Sequence, residues 1–276
     1  MSGNITQRHI VEAIERIAPL PLQEEYDNSG LQVGDINRPV SKVLICLDVT
    51  EEVVMEAVAM GAEMVVSHHP LLFRPLKRIA PTDYIGRCVM MAIEHGITLY
   101  AAHTNLDNAP DGVNYMMAQV LGLQQLSPLH ALPASRTDRL PEDKRVMAGG
   151  GLIGFLPEPM TEADFIAHVQ GRLAAPCIKH NLTERMIHKV AICGGSGSSF
   201  IRDAVAAHAD AFLTGEIGYH LFFGHPEILL MEAGHYETEQ YTRQLLAEMI
   251  QKACPEVECH ISQSTAQPIH VTTSEA

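Results

Sequence analysis

The stretch KVLICLDVTEEVVMEAVAMGAEMVVSHH, residues 42–69, decides the fold because the chain contains a second version of it. Residues 189–216 read KVAICGGSGSSFIRDAVAAHADAFLTGE and align with the first stretch without a gap. The two share Lys, Val, Ile and Cys at the start and Ala-Val-Ala in the middle, and Glu63 aligns with Asp210. This internal duplication predicts two related structural units.

Both stretches have the pattern of a short apolar strand, a polar loop, a helix of about ten residues and a second apolar strand. Thr50 can cap the first helix and Gly61 can end it in the left-handed conformation. Ser198 or Ser199 can cap the second helix. Because strands alternate with helices, we expect an α/β fold made of two related lobes with mainly parallel sheets.

The similarity resumes further on, where ITLYAAHTNLDN (97–108) aligns with ILLMEAGHYETE (228–239). After each apolar strand, a histidine is followed four positions later by a carboxylate, in the pairs His103 and Asp107, and His235 and Glu239. Sites in parallel sheets form beyond the carboxyl ends of the strands. We therefore expect these side chains, together with His68 and His69 at the end of another predicted strand, to be functional.

The predicted domain organisation has three parts. Residues 1–125 form a first lobe that contains the adjacent histidines and Asp107, and residues 185–276 form a second lobe that contains His235 and Glu239. Residues 126–184, which are rich in turn-forming sequence, are predicted to be a small connector with one helix over 162–173.

The adjacent histidines favour a pair of metal ions. Side chains of neighbouring residues in a straight strand point to opposite faces, but Pro70 follows His69 directly, so the two rings can turn toward neighbouring ions. A two-metal site needs a bridging carboxylate between ions about 3.5 to 4 Å apart, and Glu239 suits that role. The alternative is an incidental histidine pair and ordinary helix-surface pairs.

Composition limits the classes of function. The chain has 276 residues and a formal charge of −14, which argues against binding to a nucleic-acid backbone. No apolar run is long enough to cross a membrane and the first residues do not resemble a secretory signal, so we expect a cytoplasmic protein. The six cysteines have no metal-binding spacing and are expected to be buried hydrophobic residues.

Two further motifs remain open between alternatives. Arg74, Lys77 and Arg78 form a basic cluster that could hold substrate phosphates or could be a solvated loop. GGSGSS (194–199) could bind phosphate with backbone amides or could be a tight turn. Glu216 and His220, four residues apart after a predicted strand, are candidates for a supporting or substrate-facing role.

Five blocks in the same order identify a family resemblance. The blocks are YDNSGLQVG (26–34), SHHPLLF (67–73), AAHTNLDN (101–108), TGEIGYH (214–220) and AGHYETE (233–239). They resemble those of the Nif-three-like dinuclear metal centre proteins, also named GTP cyclohydrolase 1 type 2. The resemblance runs from about residue 5 to 261, without the extra inserted domain of the longer members.

The resemblance implies a homohexameric ring and two divalent metal ions between the lobes of each subunit, iron or zinc, with manganese as a further candidate. His69 and Asp107 would bind one ion, His68 and His235 the other, and Glu239 would bridge them. The two adjacent histidines could exchange ions. His103 would be a further ligand or would support one.

The activity that the resemblance implies is hydrolytic opening of the imidazole ring of GTP with release of formate. Glu216 or His220 would relay protons, and Arg74, Lys77 and Arg78 would hold the triphosphate. Two alternatives remain: a dinuclear phosphoesterase or other metal hydrolase, and a metal-binding regulatory hexamer without turnover.

Overall fold

The computed structural model describes residues 5–264 and 267–272, which form two compact units. The first unit consists of the described residues of Met1–Leu106 and Thr242–Ala266. The second consists of the described residues of Asp107–Tyr241 and Gln267–Ala276. Each unit has its own β-sheet, so the α/β class and the presence of two sheets agree with the sequence-based prediction.

The strands are β1 (Gly30–Val33), β2 (Lys42–Cys46), β3 (Met64–Ser67), β4 (Thr98–Ala101), β5 (Gln124–Ala131), β6 (Gly149–Thr161), β7 (Lys179–His180), β8 (Met186–Cys193), β9 (Ala211–Thr214), β10 (Leu229–Glu232) and β11 (Glu258–Ile261). The helices are α1 (Gln7–Ile17), α2 (Glu51–Met60), α3 (Tyr84–His95), α4 (Thr104–Asp107), α5 (Val113–Leu121), α6 (Ala134–Thr137), α7 (Glu142–Arg145), α8 (Glu162–Leu173), α9 (Ile201–Ala206), α10 (His235–Glu239) and α11 (Thr242–Ala253). Short 3-10 helices cover Leu20–Leu22, Ser198–Phe200 and Tyr219–Phe223.

The first sheet has the strand order β1-β4-β3-β2-β11. β4, β3, β2 and β11 are parallel neighbours, and β1 adds an antiparallel edge. Leu44, Val65 and Leu99 on three of these strands pack in one buried cluster with Val53 of α2 and Val89 of α3. The prediction of a mainly parallel sheet is confirmed for this unit.

The second sheet has the order β5-β6-β8-β9-β10-β7 and is mixed. β8, β9 and β10 are parallel, whereas β5, β6 and β7 pair in antiparallel fashion with their neighbours. The prediction of a mainly parallel sheet is therefore wrong here. The physical reason is that residues 126–184, predicted as a connector, contribute most of β5 and all of β6 and β7 to this sheet.

Both faces of the second sheet are covered by helices. On β9, Leu213 packs in a cluster with Phe165 of α8, whereas its neighbour Phe212 packs in another cluster with Ile201 of α9. Successive side chains of a strand point to opposite faces, so a strand between two helical layers is apolar at every position. This explains why the first three residues of β9, Ala211 to Leu213, are all apolar.

The duplication detected in the sequence is present in the strand register. Val43 lies opposite Met64 where β2 pairs with β3, and Val190 lies opposite Ala211 where β8 pairs with β9. These four residues correspond in the ungapped alignment of residues 42–69 with 189–216. The third strands agree as well, because Thr98 and Leu229 occupy matching positions beside β3 and β9.

The shared Lys and acidic residues have a structural role in both units. Glu63 accepts hydrogen bonds from two consecutive backbone amides at the start of β2, at 3.1 and 2.9 Å, and Asp210 does the same for β8, at 3.0 and 2.8 Å. Lys42 Nζ donates to the last carbonyl of α2 at 3.2 Å, and Lys189 Nζ donates to the carbonyl that follows α9 at 2.6 Å. The repeat thus conserves a link between strand, helix end and next strand.

The predicted helix caps have different outcomes in the two copies. Thr50 Oγ1 accepts from Val53 N at 3.3 Å, and Gly61 ends α2 with a φ of 71°, as predicted. Ser198 instead donates to the Glu216 carbonyl at 2.5 Å, and neither serine caps α9 through its side chain. The helix predicted over 162–173 is present as α8.

The units differ from the three predicted segments in one more respect. α11 and β11 fall within the predicted second lobe, yet β11 pairs with β2 in the first sheet and α11 packs against α1. Four of the cysteines are buried as expected, whereas Cys177 is exposed and Cys259 is partly exposed. Across residues 5–264 and 267–272, every helix is too short or too polar to traverse a lipid bilayer.

Candidate metal centre

Three histidines of the first unit meet at the carboxyl ends of β3 and β4. His68 and His69 follow β3. The His68 amide donates to the carbonyl of Cys46, the last residue of β2, at 3.3 Å, and the His69 amide donates to the next carbonyl, that of Leu47, at 2.9 Å. The two rings have centroids 4.8 Å apart and are tilted by 44°, so both turn the same way. The His103 ring, which follows β4, lies 5.3 and 5.5 Å from them. One ring nitrogen from each of the three lies within 4.8 Å of the others.

Hydrogen bonds fix the orientation of the two adjacent imidazoles. His68 Nδ1 lies 2.8 Å from the Ala102 carbonyl oxygen, and His69 Nδ1 lies 2.8 Å from Oδ1 of Asp48. A carbonyl or carboxylate oxygen can only accept, so Nδ1 carries the hydrogen in both rings and Nε2 carries a lone pair. Histidine ligands of metal ions are usually held through the second ring nitrogen in this way.

Asp27 holds His103 in the same manner. Its Oδ1 lies 2.7 Å from His103 Nδ1, and its Oδ2 accepts from the Thr104 amide and hydroxyl at 3.0 and 2.5 Å and from the Ser29 hydroxyl at 2.7 Å. Burial raises the pKa of Asp27, but these hydrogen bonds, led by the one with His103, outweigh burial and hold the pKa well below its usual value. Asp27 is therefore a charged acceptor that orients the ring.

In the second unit, a histidine and a carboxylate lie on one face of α10. His235 and Glu239 are four residues apart, and His235 Nε2 lies 3.0 Å from Glu239 Oε2. His235 Nδ1 lies 2.8 Å from Oε1 of Glu216, which follows β9. As in the first unit, an oxygen acceptor holds Nδ1 of the imidazole. The other ring nitrogen, Nε2, faces the carboxylate of Glu239.

The GGSGSS loop makes room for this carboxylate. A Cβ atom on Gly195, whose φ is +60°, would lie 2.1 Å from Glu239 Oε1. The Gly195 amide donates to Thr238 Oγ1 at 3.0 Å, and the Gly194 amide donates to the Asn114 side chain at 2.9 Å. Of the two interpretations of the loop, the tight turn is the one that the hydrogen bonds support, because these amides already have protein acceptors.

Asp107 is the last residue of α4 and belongs to the second unit. Its backbone carbonyl accepts from Asn114 Nδ2 at 3.0 Å. Burial raises the pKa of the Cys193 thiol, and the nearby carboxylates of Asp107 and Glu239 raise it further. Asp107 and Glu239 thus share a neighbour at the end of β8, which makes this end of the second sheet acidic.

The residues predicted to support the metal ions or to bind substrate differ in their distance from the candidate ligands. Glu216 contacts a candidate ligand directly. His220 is exposed in the 3-10 helix Tyr219–Phe223, where its ring meets that of Tyr219 edge to face, with centroids 5.3 Å apart. Arg74, Lys77 and Arg78 are exposed in the loop after His69. Lys77 and Arg78 line an open groove of about 640 Å³ in the first unit.

Sequence reasoning missed Asp27 and Asp48 as partners of the histidines. Asp48 lies two residues after the end of β2, at the strand edge where sites are expected, so its position was a usable signal. Asp27 lies in an irregular segment before β1, within the YDNSGLQVG block. Only the folded chain brings Asp27 to His103.

The two sheets and the histidines and carboxylates at their strand ends define a duplicated α/β protein with a candidate metal centre. The chain belongs to the family described as Duf34/NIF3 (NGG1p interacting factor 3), whose sequence profile matches residues 5–268. The family resemblance expected from the five sequence blocks is thereby confirmed.

Relatives of known sequence and structure cover most of the chain. A Clostridium perfringens protein named GTP cyclohydrolase 1 type 2 homolog is 37% identical over 234 residues, which are 83% of this chain and 85% of that protein. A Streptomyces coelicolor protein of the same name is 32% identical over 94% of this chain and 92% of its own length. The crystal structure of a Bacillus cereus protein related to NIF3 matches with a TM-score of 0.89 at 27% identity, covering 98% of this chain and 100% of that one.

Proposed function

We propose that this protein binds two divalent metal ions and uses them to open the imidazole ring of GTP by hydrolysis. The observation that carries the proposal is the hydrogen-bonding state of four imidazoles, those of His68, His69, His103 and His235. In each, Nδ1 is bonded to an oxygen acceptor, which makes Nε2 the ligand atom for a metal ion. His235 Nε2, which lies 3.0 Å from Glu239 Oε2, would have to release its proton on binding an ion. Neutral imidazole and carboxylate are donors that suit iron, zinc and manganese.

The proposed division of ligands follows the family resemblance. His69 and Asp107 would bind one ion, His68 and His235 would bind the other, and Glu239 would be shared by both. The two adjacent histidines are interchangeable in this scheme. The His103 ring, 5.3 and 5.5 Å from its two neighbours, is the proposed additional ligand or support.

The protein's own groups have defined tasks in this proposal. A pair of divalent ions, when bound, lowers the pKa of a water molecule and neutralises charge that develops on the substrate. Asp48, Asp27 and Glu216 keep three imidazoles in the tautomer and orientation that binding requires. Glu216 is half-exposed, so it can also exchange a proton with a bound substrate. His220, which is exposed and meets the Tyr219 ring edge to face, is the alternative proton donor.

The choice of GTP rests on the relatives. The Clostridium perfringens and Streptomyces coelicolor proteins are both named GTP cyclohydrolase 1 type 2 homolog. The proposed reaction opens the guanine imidazole ring by hydrolysis and releases formate. A triphosphate needs cations, and Arg74, Lys77 and Arg78 supply three in a chain whose formal charge is −14.

The test has two stages. Elemental analysis of protein purified without chelators should give about two ions per chain, and the metal-loaded protein should release formate and produce pterin fluorescence from GTP. His68→Ala and Glu239→Ala should lose both metal and product. His95→Ala, an exposed histidine at the end of α3, is the matched control and should retain both.

Two results would contradict the proposal in different ways. A metal content near zero would contradict the proposed metal centre. Full metal content without product, for iron, zinc and manganese alike, would contradict the proposed cyclohydrolase activity. A phosphoesterase, another hydrolase and a metal-binding regulatory protein would then be the functions to distinguish.

We also propose that the chain assembles as a homohexamer, as its family resemblance implies. Light scattering should then give about six times the chain mass of 30.2 kDa. A mass equal to that of one or two chains would contradict this assembly without affecting the metal ligands.

A further inference from the structure

An exposed aromatic pair lies on the surface of the first unit. Tyr26 is 69% exposed and Phe73 is 41% exposed, although both side chains are large and largely apolar. Their rings meet edge to face, with centroids 6.4 Å apart and an interplanar angle of 67°. Adjacent exposed aromatic rings on a soluble protein point to a binding surface, because neither ring contributes fully to the core.

The two segments that carry the pair are tied together. Asn28 Nδ2, two residues after Tyr26, donates to the Leu72 carbonyl at 2.7 Å. Gln32 Oε1 accepts from the Leu72 amide at 3.1 Å. Phe73 therefore follows a residue whose backbone amide and carbonyl are both fixed by the segment of Tyr26. The aromatic surface is arranged in advance, which lowers the entropic cost of binding a flat ligand.

The aromatic pair borders the candidate metal centre. The Phe73 ring lies 6.1 Å from the His103 ring at an interplanar angle of 83°. Asp27, the residue after Tyr26, holds His103 through the 2.7 Å hydrogen bond described above. Because the two ring planes are 67° apart, a flat ligand would stack on the face of one ring and meet the other at an angle. Stacked on Phe73, it would lie next to His103.

Cationic side chains continue from the same surface. Arg74 follows Phe73, and Lys77 and Arg78 line the groove of about 640 Å³ together with aliphatic side chains. The cavity beside His235 in the second unit, about 350 Å³, is lined by the carboxylates of Glu216, Glu232 and Glu237 and by one cation, Lys179, which is paired with Glu232. Of these two openings, only the one in the first unit has charges that would attract a polyphosphate.

We propose that Tyr26 and Phe73 form a stacking wall for the purine ring of a nucleoside triphosphate, with Arg74, Lys77 and Arg78 on its phosphates. This inference rests on the proposed function and assigns the residues that would bind the base. Stacking on an aromatic face is worth about 1 to 3 kcal/mol per base, or roughly a 5- to 150-fold change in affinity.

The chain contains no tryptophan, which permits a direct test. Phe73→Trp and Tyr26→Trp each introduce a single fluorophore at the wall, and Phe223→Trp introduces one at a 69% exposed aromatic position of the second unit. GTP and guanosine should quench the first two variants and leave the third unchanged. Inorganic tripolyphosphate should not quench but should compete with GTP.

Absence of quenching at the wall with saturating GTP, or equal quenching in Phe223→Trp, would overturn the inference. Removal of the rings gives an independent measurement. Tyr26→Ala and Phe73→Leu should weaken GTP binding by roughly 5- to 150-fold while the metal content stays unchanged. Unchanged GTP affinity in both variants would overturn the inference.

The outcome for the wall can be separated from the outcome for the proposed function. Quenching by GTP without formate release would support the wall and contradict the cyclohydrolase activity. Formate release with an unaltered KM in Tyr26→Ala and Phe73→Leu would support the activity and contradict the wall, because lost ground-state binding should raise KM.

Discussion

Asp27 Oδ1 lies 2.7 Å from Nδ1 of His103, and the same carboxylate also binds the Thr104 amide and hydroxyl and the Ser29 hydroxyl. One enclosed carboxylate thus joins the segment before β1 to the residues after β4. The His103 ring can keep its orientation only while Asp27 remains a charged acceptor.

Asp27→Asn should lower the metal affinity of the protein by about 10- to 100-fold, because an amide has one acceptor oxygen where the carboxylate has two. Metal affinity can be measured by competition with a chelator indicator. Asp35→Asn removes a surface carboxylate that accepts from the Asn37 amide and serves as the matched control. Equal affinity in wild type and Asp27→Asn would show that His103 is not among the ligands or that its orientation is immaterial.

Glu216→Ala should reduce metal affinity by about 10-fold, since His235 would lose the acceptor that fixes its tautomer. His220→Ala changes an exposed residue four positions away and should leave metal affinity unaltered. Titration of both variants with zinc checks the prediction. A larger loss in His220→Ala than in Glu216→Ala would reverse the roles that we give to these residues.

Gly195→Ala should destabilise the protein and displace Glu239, because the new Cβ would lie 2.1 Å from Oε1 of that carboxylate. Gly61→Ala is the control, since Gly61 has a similar φ of +71° and nothing within 4 Å of its added Cβ. Gly61→Ala should cost about 1 to 2 kcal/mol for backbone strain alone. Gly195→Ala should cost a further 1 to 3 kcal/mol, roughly the penalty of overpacking.

The free energies of unfolding of both glycine variants can be obtained from denaturant titration. Metal content measured on the same samples separates the two effects, since only Gly195→Ala should lose metal. If both variants are equally stable and both retain metal, the close approach of the loop to Glu239 has no energetic consequence.

Glu63→Gln should lower the free energy of unfolding at pH 7 by about 1 to 2 kcal/mol, because the carboxylate accepts from two backbone amides of the strand start. Burial raises the pKa of Glu63, but those hydrogen bonds outweigh it and hold the pKa below 4.5. A depressed pKa in the folded state stabilises the fold above pH 4.5 and loses that contribution as the pH falls through the folded-state pKa.

The stability difference between wild type and Glu63→Gln should therefore narrow in acid, as measured by urea titration from pH 7 to pH 3. Asp210→Asn removes the equivalent contact in the second unit and should also lower the free energy of unfolding at pH 7. A difference that stays constant over this range would show that the charge of Glu63 is not responsible.

The repeated stretches were sufficient to predict the parallel core of each unit. The apolar pattern and the aligned Lys and acidic positions can be read directly from each stretch of sequence. The strand register agrees with them, because Val43 pairs with Met64 and Val190 pairs with Ala211 at corresponding positions. The end of β3, where His68 and His69 lie, could be located for the same reason.

Other features depend on contacts between distant parts of the sequence. The antiparallel strands of 126–184 join the second sheet by long-range pairing, which their turn-rich sequence does not specify. Asp27 reaches His103 only through the path of the chain before β1. Ser198 was predicted as a cap, but its hydroxyl binds the Glu216 carbonyl because that carbonyl is near in space.

The pairing of β11 with β2 has a consequence for biosynthesis. Glu258 to Ile261 lie alongside Lys42 to Ile45, so the ribosome must make more than 200 intervening residues before this edge of the first sheet is covered. Until then β2 presents unpaired backbone groups that can recruit strands of other chains. β11 therefore protects a strand that is made much earlier, and nascent chains that stop before α11 should be the form most in need of chaperones.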